Sequence, residues 1–181
     1  MPDEAPKVPD DLGEQVARFA RFVTEFLKSD ITHRVRASVL ESASSLEFEL
    51  NEALAADLSR NIYASYELAV NVLSRLPVDV RLDMLERHME DTGADELWPT
   101  LVPVLRKVYN VRNRYAHGLV SSGPDGSTSI RSWNRGKPSV KQYNPEELIW
   151  LAYAAMLAHT DLARLWAYWV PADPAWHEPQ R

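Results

Sequence analysis

One short run of this chain combines residue types that act on phosphates: Arg112-Asn113-Arg114-Tyr115-Ala116-His117-Gly118. Arginine offers a planar fork of N–H donors that matches phosphate oxygens. Histidine exchanges protons near neutral pH. The pair therefore suits cleavage of an RNA phosphodiester. His117 would act as general base on a 2′-hydroxyl or as general acid at the leaving 5′-oxygen. Arg112 would stabilise the charge that develops on the phosphoryl group, and the product would carry a 2′,3′-cyclic phosphate. Asn113 lies four residues before His117, on one helix face with it, in a supporting place. This chemistry calls for no metal and no cofactor.

The run closes a helix that begins between Trp98 and Pro103 and stops at Gly118. Leu101, Val104, Leu105, Val108 and Tyr115 make its apolar stripe, and Arg112 falls on the same stripe. A guanidinium on a core-facing row is costly unless it is paired or lies at an interface. Five residues separate Arg112 from His117, which places them about 140° apart around a regular helix. A frayed last turn, or a site shared by two chains, brings them together. Bland alternatives exist for each residue. His117 interacts favourably with the helix C-terminus when protonated, Arg112 is paired inside the core with Glu47 or Glu49, and Asn113 ties down a neighbouring helix.

The net charge is −6, which opposes bulk attraction to nucleic acid. Its distribution is uneven. Arg106, Lys107, Arg112, Arg114, Arg131, Arg135, Lys137 and Lys141 fall in one stretch whose single acidic residue is Asp125. A basic segment on an acidic body is a place to hold an RNA backbone, or else a solvated face that balances the remainder. Trp133 and Tyr143 interleave with Arg131, Arg135 and Lys141, either to stack bases or to pin the segment to the body. His159 reads as a satisfied core or interface histidine, His88 as exposed, and His33, beside Arg34 and Arg36, as a phosphate contact or part of a solvated first turn. No zinc-protease, phosphate-loop or dinucleotide signature is present.

The elements that must position these groups are mostly helical. Residues 1–9 read as a disordered leader, 10–170 as one helical domain and 171–181 as a flexible tail. Helices are expected from Asp10 or Asp11 to Ser29, from Ile31 to Leu58 with a bend at Ser42–Ser45, from Asn61 to Leu76, and from Val78 to Glu90. The Arg112 helix follows. A small β-hairpin, Ser127–Trp133 with Ser139–Tyr143, is inserted next. Asn144-Pro145-Glu146-Glu147 opens the last helix with a capping pattern, and it runs to about Val170. The fold class is thus all-α, about five to six helices with one hairpin. The absence of cysteine excludes disulfides and thiolate chemistry. The N-terminus lacks the pattern of a signal peptide, and no apolar run is long enough to span a bilayer, so a cytoplasmic protein without membrane attachment is expected.

Arg112-Asn113-x-x-Ala116-His117-Gly118, ending the helix before a hairpin and a long last helix, resembles the HEPN superfamily, whose hallmark is an Arg followed a few residues later by His. The likeness covers the helical body, and the Arg112–Gly118 segment is its specific part. The resemblance implies a helical bundle that pairs as a homodimer with the two motifs meeting at the interface. It further implies a metal-independent endoribonuclease, a toxin or phage-defence component with an antitoxin or defence-system partner, in which Arg112, Asn113 and His117 form the site. Other members are non-catalytic regulators, and the mannitol operon repressor is similar around the motif. One toxin subgroup carries Tyr two residues after the His, where this chain has Leu119. The alternatives are a non-catalytic interaction protein of the same fold and a nucleotide-binding sensor on the same basic surface.

Overall fold

The structure is a computed structural model that describes residues 31–123, 127–134, 137–170 and 176. The expected leader and first helix, Arg135, and all of the expected tail except Trp176 lie outside those residues. Trp176 itself is buried.

Six helices and one small sheet make up the described chain: α1 (Ile31–Leu58), α2 (Ile62–Asn71), α3 (Val78–Thr92), α4 (Ala94–Leu97), α5 (Leu101–His117) and α6 (Pro145–Trp169), with β1 (Leu119–Ser122), β2 (Thr128–Asn134) and β3 (Lys137–Tyr143) between α5 and α6. α1 is the spine. It packs along α6, α5, α3 and α2. Ala43, Leu46, Leu50, Ala53 and Leu54 recur at helical spacing and are all buried, and Ala154, Ala155 and Ala158 answer them from α6. Small side chains on both helices let the two backbones approach closely. α1 is continuous through its serines, and Ser44 donates its hydroxyl back to the Leu40 carbonyl at 2.9 Å.

Local chemistry sets the helix ends. The Asn61 side chain caps α2 by accepting from the Ala64 N–H at 2.9 Å. α2 ends at Asn71, earlier than expected, and a 3-10 turn at Leu73–Arg75 carries the chain to Pro77. At α6 the capping box forms: Asn144 Oδ1 accepts from the Glu147 N–H at 2.7 Å, and Glu147 Oε2 accepts from the Asn144 N–H at 3.0 Å. Asn144→Ala is expected to lower the unfolding free energy by about 1 kcal/mol. An unchanged urea midpoint would show that the box contributes nothing.

The all-α expectation needs correction. The insertion is a three-stranded antiparallel sheet in the order β1-β2-β3, not a two-stranded hairpin. Leu119–Ser122, which lies outside the expected hairpin, pairs with β2. The reason lies in β2, which carries buried Ile130 and Thr128 on its bundle side and has neighbours for both of its edges. Leu119 pairs with Arg131, which pairs with Val140; Val120 pairs with Ile130, which pairs with Lys141. No helix among the described residues is long and apolar enough to cross a membrane.

Candidate functional site

α5 places the candidate residues. Leu101, Leu105, Val108 and Tyr115 are buried as their spacing requires, joined by Val102, Tyr109 and Val111. Arg112 lies at the middle of that arc, yet it is half-buried and not core. It is not paired with Glu47 or Glu49. Its Nη1 donates to Asn113 Oδ1 at 2.9 Å. Asn113 thus turns to Arg112 and not to His117. Two residues on, about 160° around the helix, Arg114 Nε donates to Asn110 Oδ1, one turn before it, at 3.1 Å. Both guanidinium groups at this end of α5 are therefore oriented by neutral amides. His117 is exposed at the last turn.

The buried arginine is elsewhere. Arg81 of α3 is 2% exposed, donates to Asn51 Oδ1 at 2.6 Å and is ion-paired with Glu47. Glu49 is 2.8 Å from Nδ1 of His159, so that histidine joins α6 to α1, as a satisfied interface histidine should. His88, read as exposed, is half-buried with Nδ1 2.8 Å from Asp57. The side chain of His33 lies outside the described residues. Tyr109 sits just before Arg112 in α5. Burial pushes its hydroxyl upward from the ordinary tyrosine range, Glu47 adds to this, and Arg81 and Arg112 oppose it. Burial also pushes Tyr115 up to about 12.

The basic stretch does not form one patch. Arg106 is taken up by Asp83 at 2.8 Å and Glu86 at 2.7 Å, both on α3. Those hydrogen bonds raise its pKa, that to Asp83 most. Lys107 is held with its ammonium 4.2 Å from the Trp150 ring centre, in a groove of about 390 Å³ between α5 and α6 that Tyr153, Leu157 and Asp161 also line. It lies about 15 Å along α5 from His117. The strand register separates the rest. Side chains alternate across a sheet and cross-strand partners share a face. Ile130 is buried, so its partner Lys141 and the alternate residue Lys137 belong to the bundle side, whereas Arg131 belongs to the outward side. Lys141 lies over the Tyr143 ring at 5.7 Å. Tyr143 is buried and pins the sheet; Trp133 is 70% exposed and does not.

Comparison of the chain with protein-family models, with curated proteins and with solved structures finds no match. Among the described residues no three His, Asp or Glu side chains cluster as metal ligands would. Between residues 112 and 143 the described chain contains Arg112, Arg114, Arg131, Lys137 and Lys141 and no carboxylate side chain. Among the described residues, Arg106 is paired with carboxylates of α3, whereas Arg112 and Arg114 are hydrogen-bonded to amides.

Proposed function

We propose that the C-terminal end of α5 is the active site of a metal-independent endoribonuclease that works as a homodimer. One observation supports this above the others: Arg112 and Arg114 are held by Asn113 and Asn110, while Arg81 and Arg106 are held by carboxylates. An amide carbonyl orients a guanidinium without neutralising it. Such a group keeps its whole positive charge, and half-buried Arg112 also keeps its remaining donors, for an anionic ligand. The exposed His117, at the same end of α5, supplies proton exchange.

The roles follow from position. Arg112 stabilises the charge that grows on the phosphoryl oxygens as the 2′-oxygen attacks phosphorus and the bond to the 5′-oxygen breaks. His117 takes the 2′-hydroxyl proton or returns one to the leaving oxygen. Asn113 positions Arg112. Because Arg112 and His117 of one chain point about 140° apart, each site takes Arg112 from one subunit and His117 from the other.

The test is cleavage of mixed RNA in EDTA. His117→Ala is expected to cut the rate by about a hundredfold or more, with an unchanged circular dichroism spectrum. The native products should end in 2′,3′-cyclic phosphate. Mixing Arg112→Ala with His117→Ala chains should restore about a quarter of native activity, because half of the dimers regain one intact site of two. Cleavage that survives in His117→Ala would overturn the reading. No cleavage by the native protein would favour the non-catalytic regulator of the same fold.

A further inference from the structure

We infer that the outward face of the three-stranded sheet is a binding surface for single-stranded RNA, on which Trp133 stacks a base while Arg131, on the same face, holds the adjoining nucleotide. The inference rests on the ribonuclease reading for the identity of its ligand.

The face is built by register. Leu119, Arg131 and Val140 form one rung across the three strands, and Trp133 follows Arg131 by two residues, on the same side and roughly 7 Å along β2. Nothing in the described chain covers them: Leu119 is 74%, Trp133 70% and Val140 60% exposed. A shallow recess of about 400 Å³ opens beside Arg131, with Leu119 and Val140 as apolar walls and Ser121 and Ser129 as hydroxyl groups. An aromatic plane, a cation and paired hydroxyls around a shallow apolar floor suit an unpaired base and its phosphate.

Three observations select this occupant. A duplex hides its base faces and has no use for an exposed indole, so the ligand is single-stranded. The described part of this face carries a positive charge and no carboxylate, so the ligand is anionic. Leu119, at one end of the rung, follows His117 by two residues, so a strand lying on the sheet leads directly to the proposed cleavage site.

The experiment is fluorescence anisotropy of the full chain with a short labelled 2′-O-methyl RNA, which lacks the 2′-hydroxyl nucleophile and so reports binding apart from cleavage. The native protein should bind the single strand more tightly than its duplex. Trp133→Ala and Arg131→Ala should each weaken binding about tenfold or more. Trp150→Ala, which removes an exposed indole from the α5–α6 groove, should leave it unchanged. Both sheet substitutions lie at exposed positions and should leave circular dichroism unaltered. The inference is overturned if the native protein binds no RNA, if Trp133→Ala binds like native, if an acidic peptide occupies the face with equal affinity, or if Trp133→Ala changes only self-association. RNA cleavage with Trp133-independent binding would remove this surface and leave the ribonuclease reading standing. Trp133-dependent binding without cleavage would do the reverse.

Discussion

Arg81→Ala is expected to destabilise the chain by about 3 kcal/mol, with an accompanying fall in melting temperature of roughly 6–12 °C. Arg81 is 2% exposed and joins α3 to α1 through Asn51 and Glu47. Truncation leaves a cavity in the core, strips the buried Asn51 carbonyl of its donor and removes the counter-charge of Glu47. Glu47 is a third exposed and can take up water, which keeps the cost below that of a fully buried orphan charge. Asn51 is 6% exposed and cannot. Arg81→Met should therefore cost less than Arg81→Ala, since it refills the volume, but still more than a surface change, since Asn51 remains unpaired. Urea denaturation of the three proteins settles the order. If Arg81→Met and Arg81→Ala cost the same, the packing argument fails; if neither costs anything, the pair is not buried in solution. The effect bears on the candidate site because Tyr109, which feels both Glu47 and Arg81, lies in α5 just before Arg112.

An arginine on an apolar row marks a buried or interfacial cation. On α5 that row includes Arg112, which the structure leaves half-buried and bonded to Asn113. On α3 the same spacing joins Arg81 to Leu85 and Met89, and there the arginine is buried. Periodicity assigns a face; it does not say which neighbouring helix covers that face or where the cover stops. The cap at Asn144 and the end of α5 at His117 were legible because they depend on residues close in sequence. The partners of Arg106 were not, since Asp83 and Glu86 come from another helix that the sequence does not place. β1 was missed for a related reason. Leu119–Ser122 has little alternation of its own and becomes a strand because β2 offers it an open edge. The split of Arg131 from Lys141 required the register, in which one residue decides the face.

Gly118→Ala is expected to cost about 2–3 kcal/mol. It should cost more than Gly93→Ala, although only Gly93 adopts a positive φ. Gly118 ends α5 with φ −105° and ψ 159°, extended backbone that any residue accepts. Its requirement is space. A Cβ there would lie 2.5 Å from the Arg114 carbonyl oxygen, 2.5 Å from Ile130 Cγ2 and 3.2 Å from the Arg131 carbonyl oxygen. Two of these neighbours are backbone, and Ile130 is fully buried, so none can yield without moving the sheet off the helix. Gly93, between α3 and α4, has φ 72° and nothing within 4 Å of its Cβ position, so alanine there meets only the left-handed backbone penalty, about 1 kcal/mol. Steric collision should win over conformational preference. The Gly118 change should also displace His117 and β1 together, since they flank it directly. Ribonuclease activity, if present in the native chain, should therefore fall in Gly118→Ala and persist in Gly93→Ala at temperatures where both are folded. Chemical denaturation gives the first comparison and the cleavage assay the second. A Gly118→Ala protein as stable as native would mean that helix and sheet do not meet this closely. A larger loss at Gly93 would mean that backbone conformation, not contact, governs these two glycines.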